Sequence, residues 1–139
     1  MMSSIKTIEV TVERTIPTSP REAFDAWLNP EVTGTPWNMA DKLLLNPTVD
    51  GCFFWAFKGT PHYGRFTAVD RPERIQHTWM SPNTLGMEST VTVTFKGKGK
   101  ETLMTLVHSD LPDTDAGRSH EKGWSYFLGT FLERGGVNK

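Results

Sequence analysis

The chain has 139 residues, 37% of them hydrophobic and 22% charged, with a formal net charge of -1 and one cysteine. That length suits a single domain around one core, and the near-neutral charge supplies no clustered cations for nucleic acid or an anionic membrane. A lone Cys52 permits no internal disulfide and no cysteine-only metal site, as in a reducing compartment. The N-terminus has no apolar stretch of signal-peptide length and the longest apolar run, "CFFWAF", is far short of a membrane span, so a cytoplasmic location is expected.

The first element, "IEVTVER" from Ile8, alternates apolar and polar residues and predicts a half-buried strand with Ile8, Val10 and Val12 on one face. "SPREAFDAWLNP" then combines a capping box, Ser19 to Glu22, with Pro20 at the first helical position and a stop before Pro30. Its buried stripe is Ala23, Phe24, Trp27 and Leu28. The Gly- and Pro-punctuated stretch through "TGTPWNM" predicts a loop or second short helix carrying Trp37, which would lid an opening or plug the core edge.

Six further strands follow: "KLLLN", "CFFWAF", "YGRFTAV", "RIQHTWM", "STVTVTF" and "TLMTLVH". The joints between them, such as "KGTPH" and "SPNTLG", are mostly short turn chemistry, which favours an antiparallel meander. "KGKGK" reads as a solvated hairpin tip that keeps its edges charged.

The last element, "SHEKGWSYFLGTFL", is the most apolar helix: Trp124, Phe127, Leu128, Phe131 and Leu132 share one stripe. Ser119 is the expected N-cap, Glu121 and Lys122 fill the first turn, and the glycines of "ERGG" supply the stop. Burying such a stripe is worth on the order of 10 kcal/mol before ordering entropy is subtracted, so a curved sheet must cover it.

Taken in this order and spacing, several segments resemble the START-like (SRPBCC) superfamily with its helix-grip fold. More specifically, they resemble the group named after the activator of the ninety-kilodalton heat-shock chaperone's ATPase. The carriers are "TSPREAFDAWLNPE" from Thr18, Trp37, Gly51, "YGRFTAVDRPERIQHTW" from Tyr63, "STVTVTF" from Ser89, "TLMTLVHSDL" from Thr102 and "HEKGWSYFLGTFLERG" from His120. Cys52 departs from the pattern, since many members have a second glycine after Gly51. The resemblance implies one α+β domain over residues 1–139: a curved seven-stranded antiparallel sheet wrapped around a long C-terminal helix, with two short helices between strands 1 and 2. It also implies an apolar cavity between helix and sheet that in many relatives holds a lipid, hormone, polyketide or other small organic molecule. The eukaryotic co-chaperone carries an additional chaperone-contacting domain for which this chain has no room.

Period-two alternation gives the inward set independently: Ile75, His77 and Trp79 on one strand, Ser89, Val91, Val93 and Phe95 on the next, Met104, Leu106 and His108 on the last. Trp124, Phe127 and Phe131 of the helix face them. The expected ligand-binding residues are therefore Trp37, Phe53, Trp55, Tyr63 and Phe66 from the first half of the sheet and its lid. His77, Trp79, Val91, Val93, Met104, Leu106 and His108 come from the second half, and Trp124, Phe127 and Phe131 from the helix.

His77 and His108 could bind a ligand's polar group or move a proton, or could be hydrogen-bonded core histidines, His108 through a backbone carbonyl of the neighbouring loop. In "HYGRF", Tyr63 and Arg65 would set a phenol and a guanidinium at the cavity mouth if they pointed inward; Phe66 is costlier to expose, which favours Arg65 facing solvent. Cys52 is read as a small buried residue, and "HSDLPDTDAGRSHE" as a solvated acidic loop rather than a metal site. No metal, nucleotide or other cofactor motif is present, and none is expected.

The leading function is a small-molecule-binding domain for an apolar or amphipathic organic ligand. The alternatives are a cyclase- or hydrolase-type enzyme using cavity histidines, and a stress-related module that contacts a chaperone. A second copy of the chain is a further expected partner; nucleic acid and membrane are not.

Overall fold

The computed structural model describes residues 6–134. Seven strands, β1 (Thr7–Ile16), β2 (Lys42–Leu45), β3 (Cys52–Phe57), β4 (Thr60–Asp70), β5 (Arg74–Trp79), β6 (Ser89–Lys98) and β7 (Glu101–Pro112), form one sheet in the order β1-β7-β6-β5-β4-β3-β2. Every neighbouring pair is antiparallel. β2 to β7 are therefore a meander, and β1 closes onto β7. The curved sheet wraps the long helix α3 (His120–Arg134), which is preceded by the single-turn α2 (Asp115–Arg118).

Between β1 and β2 there is one helix, α1 (Pro20–Trp27), rather than the expected two. Its start follows the sequence: Ser19 is extended (φ -70, ψ 157), its Oγ accepts from the Glu22 N–H, and Pro20 occupies the first turn. Residues 29–40 form a run of turns instead of a second helix. Pro30 and Pro36 lack the N–H donors a helix needs, and Gly34 has a φ of 94. The run is still fixed: Trp55 Nε1 donates to the Pro36 carbonyl at 2.7 Å and Thr130 Oγ1 to that of Gly34 at 2.8 Å.

The beginning of α3 also differs from expectation. Ser119 has αR geometry (φ -69, ψ -10) and its hydroxyl donates to the Ala116 carbonyl, so it cannot act as an N-cap. Thr114 does: its backbone is extended (φ -133, ψ 168) and Oγ1 accepts from the Gly117 N–H at 2.9 Å. Backbone bonds from Ser119 to Asp115 and from Gly123 to Ser119 carry the turn of α2 directly into α3. The glycine stop expected at Gly135 and Gly136 lies outside the described residues.

The core is one aromatic-rich cluster between α3, α1 and the inner sheet face. Trp27 meets Phe131 edge-on at 5.2 Å, and Phe24 packs on Phe95 at 5.4 Å. Every residue that alternation assigned inward on β5, β6 and β7 is buried. Cys52 is the reverse of the expected buried residue: Phe53 and Trp55 occupy the inner face of β3, so period-two parity turns Cys52 out, where it is exposed.

Parity also separates the faces of β4. His62 and Phe66 point in; Tyr63 and Arg65 point out, with Tyr63 47% exposed and Arg65 paired with Asp50 at 2.9 Å. Tyr63 thus stands away from the interior. It belongs to a ladder across the outer face, where Leu44 opposes Phe54, Phe54 opposes Tyr63, and Tyr63 bridges to Met80.

Candidate functional site: an aromatic cleft at the N-terminal end of the long helix

Side chains with no accessible surface touch no water-sized space, inside or out. Phe66, Val91, Val93, Met104, Leu106 and Phe131 are all in that condition, so the middle of the molecule is packed solid along these residues. The elongated hollow expected between helix and sheet is closed along these residues, and an opening lies at one end of it.

There, a cleft of about 310 Å³ lies between the first turns of α3 and the β3–β4 hairpin. Trp55 and Phe57 from β3, Trp79 from β5, and Trp124 and Phe127 from α3 supply five aromatic walls. Their rings are mutually packed: Trp79 lies 5.0 Å from Trp124, Trp55 5.4 Å from Trp79, and Phe57 5.2 Å from Phe127. The polar rim is Lys58, Thr60, His62, Asn83, Ser119 and His120, with Gly123 between Ser119 and Trp124 on the helix side.

A two-residue hairpin positions one wall. Lys58 and Gly59 both have positive φ (50 and 82), the signature of a type I′ turn, and the Gly59 N–H is anchored on Asp41 Oδ2 at 3.0 Å. The tight turn fixes the register, setting Trp55 opposite His62 and Phe53 opposite Gly64. Gly64 is required there, because a Cβ would fall 2.2 Å from the Phe53 ring. On the far side, Ser81 caps the single 3-10 turn Pro82–Thr84, which presents Asn83.

Two histidines belong to the lining. His62 is buried and its Nδ1 lies 3.1 Å from the Trp55 carbonyl; His120 Nδ1 lies 2.9 Å from that of Ala116. A carbonyl only accepts, so in each neutral ring Nδ1 carries the hydrogen and Nε2 is the basic nitrogen. Burial lowers the pKa of both, more than the hydrogen bonds to backbone raise it. At neutral pH both are acceptors as well as donors.

The two histidines singled out in the sequence stand behind this cleft and do not line it. His108 has no free nitrogen: Nδ1 accepts from Trp124 Nε1–H at 2.9 Å, which puts its hydrogen on Nε2, and Nε2 donates to Ser89 Oγ at 2.7 Å. The Ser89 hydroxyl passes its own hydrogen to the Trp79 carbonyl at 2.7 Å. Desolvation foremost, with repulsion from His120 and His77, pushes His108 down to about 2. Its partners are side chains, not the backbone carbonyl expected. His77 Nδ1 donates to the Thr78 carbonyl at 2.9 Å, and burial pushes its pKa down to about 4.

Of the residues expected to line a cavity, Trp55, Trp79, Trp124 and Phe127 are brought together at the cleft. Trp37, Phe53, Phe66 and His77 form a packed group behind it, with Phe53 5.0 Å from His77 and Phe66 5.3 Å from His77. Trp37 meets Phe53 edge-on at 5.2 Å and plugs the core edge. Trp37 and Trp79 bury indole N–H groups that have no protein acceptor. Reasoning from sequence missed Phe57, Lys58, Thr60, His62, Asn83 and Gly123 of the lining, and had placed Ser119 and His120 elsewhere, as a cap and in an acidic loop. In that loop Arg118 pairs with Asp113 and Asp115, and the described residues hold no group of three potential metal ligands.

Residues 17–134 match the family model described as "Activator of Hsp90 ATPase homolog 1-like protein". The chain belongs to this family. No curated protein matches it significantly in sequence. Among solved structures, an HSP90 activator from Plasmodium falciparum is 24% identical with a TM-score of 0.73, over 92% of this chain and 94% of that one. The solution structure of the Aha1 dimer from Colwellia psychrerythraea is 13% identical with a TM-score of 0.74, over 95% and 99%. DynU16, a protein in the dynemicin biosynthetic locus, is 20% identical with a TM-score of 0.76; the match takes in 90% of this chain and 46% of DynU16. At these identities the likeness establishes the helix-grip fold alone. No helix among the described residues is long and apolar enough to cross a membrane.

Proposed function

We propose that this family member binds a small, largely apolar, amphipathic organic molecule in the cleft beside the first turns of α3. The observation that carries the reading is the contrast within one interior: described side chains with no accessible surface through the middle, and five aromatic rings that reach an opening at one end. Apolar walls with a few polar groups at the rim are the usual composition of a ligand site, and about 310 Å³ is near the lower bound for one. The occurrence of the same fold in a protein of a biosynthetic locus for dynemicin lends support.

Three tryptophans in the lining make the test direct. Intrinsic fluorescence and melting temperature are followed while fatty acids, phenols, aromatic acids and polyketides are titrated in. Quenching with a raised melting temperature in at least one class is expected. Unchanged signals across all classes would remove the reading. Acid–base catalysis by His77 or His108 has little support, since neither lines the cleft and His108 has both nitrogens engaged.

A second reading, contact with a chaperone, draws on the family and on the outer ladder, where Leu44 is 71% exposed beside Phe54, Tyr63 and Met80. Titration of purified Hsp90 against the wild type and Leu44→Asp tests it; binding that the substitution abolishes is expected. Absence of binding, or self-association of the chain through that face in sedimentation, would count against it.

A further inference from the structure

The sign and shape of the cleft define its ligand more narrowly than "apolar", and this step rests on the binding function proposed above. Lys58 carries the only fixed formal charge among the lining residues, and no Asp or Glu lines the cleft among the described residues. An aromatic box that selects a cation needs an uncompensated ring surface or a carboxylate. Here a lysine stands at the mouth with its Nζ 5.5 Å from the Phe57 ring centroid.

Lys58 is also in an unfavourable backbone region for its type. Its φ of 50 occupies the first position of the type I′ turn, where Asn, Asp or Gly is preferred because L side chains with a Cβ are strained there. The charged side chain therefore sits at the cleft at some expense of local stability, a pattern typical of functional positions.

The remaining polar groups add a second requirement. His120 holds its Nδ1 hydrogen on the backbone carbonyls of Ala116 and Gly117, which leaves its Nε2 as an acceptor among the lining groups, and His62 stands beside it in the lining. The walls are the small exposed parts of indole and phenyl rings, Trp55, Trp79 and Trp124 being 2–4% exposed, and the volume fits one or two fused rings. We infer that the cleft takes a hydroxylated mono- or bicyclic aromatic acid, its ring system against the exposed edges of Trp55, Trp79 and Trp124, its carboxylate toward Lys58, and its hydroxyl donating to a cleft histidine.

The probes are 6-hydroxy-2-naphthoic acid, its methyl ester, and the 6-(aminomethyl)-2-naphthol cation, compared by calorimetry at low salt against wild type and Lys58→Asn. The acid is expected to bind about fivefold tighter than the ester, as a partly exposed charge pair allows, and the cation weakest. Lys58→Asn should bring the acid's affinity down to that of the ester, leave the ester's unchanged, and melt at a higher temperature than wild type because Asn tolerates the turn geometry.

The rise in melting temperature separates loss of a ligand contact from loss of fold. Equal or tighter binding of the ester or the amine would overturn the assignment of an acid while leaving a binding cleft in place. So would undiminished affinity of Lys58→Asn for the acid. If none of the three probes binds while another class still quenches tryptophan fluorescence, only the aromatic-acid inference falls; if no class binds, the proposed function falls with it.

Discussion

The indole N–H of Trp124 donates to Nδ1 of His108 at 2.9 Å, joining a cleft-lining residue of α3 to the buried end of β7. Because an indole is only a donor, this one bond determines the tautomer of His108 and hence the direction of the whole chain through Ser89 to the Trp79 carbonyl. The ordered wall of the cleft and the packed core behind it are one hydrogen-bonded unit.

Removing the donor should expose the cost. Trp124→Phe keeps most of the ring but leaves the His108 Nδ1 acceptor buried without a partner, a loss of about 1–3 kcal/mol. Urea unfolding measures it, and Ser89→Ala, which deprives Nε2–H of its acceptor, should cost a similar amount. Values near zero for both would mean the relay contributes nothing to stability.

Stability should fall on mild acidification. An unfolded histidine titrates near its ordinary value, whereas folded His77 and His108 are pushed down to about 4 and about 2 by burial. Between those limits the unfolded state binds more protons, so stability rises with pH. The contribution is complete above roughly pH 6.5 and is lost progressively as pH falls toward the folded values, at about 1.4 kcal/mol per pH unit for each group. His62 and His120, also lowered, act in the same direction. Unfolding free energies at pH 7, 6 and 5 should therefore decline steeply, and a flat profile would contradict neutral buried histidines.

Gly123 offers a way to close the cleft without disturbing the core. It lies within α3 and lines the cleft, and a Cβ built there meets nothing within 4 Å. Gly123→Ala should stabilise the helix by about 1 kcal/mol, because glycine is the costlier residue in a helix interior. Gly123→Leu, with a side chain directed into the same space, should preserve folding yet abolish any fluorescence quenching by ligands. Retained quenching would move the binding site elsewhere.

The two capping residues before α3 should behave unequally. Thr114→Ala removes a bond to the Gly117 N–H and should cost about 1 kcal/mol, whereas Ser119→Ala should change stability by only a few tenths. Thermal unfolding of the pair tests whether α2 and α3 form one continuous start.

These contrasts mark where the sequence was legible. On β5, β6 and β7 simple alternation was sufficient, because no register shift interrupts β5–β6 or β6–β7 pairing, so every inward residue from Ile75 to His108 followed from parity. The β3–β4 hairpin was harder. "KGTPH" looks like a five-residue joint, but Lys58 and Gly59 alone make the turn and β4 begins at Thr60. Recognising a type I′ turn would have paired Trp55 with His62 by counting, and would have turned Tyr63 outward. Ser119 resembled an N-cap because the pattern of α3 starts beside it, whereas Thr114 had already started the helical path. The extent of the cavity could not be read at all: alternation identifies which rings face inward, but whether they fill the space depends on sheet curvature and on how the rings tilt.

The most direct test uses the tryptophans themselves. The chain has five, at positions 27, 37, 55, 79 and 124, and each indole N–H gives its own signal in a nitrogen–proton correlation spectrum. Titration with 6-hydroxy-2-naphthoate should shift the signals of Trp55, Trp79 and Trp124 and leave those of Trp27 and Trp37 in place. Movement of Trp27 and Trp37 to the same degree, or of none of the five, would contradict a binding cleft at the end of a solid core.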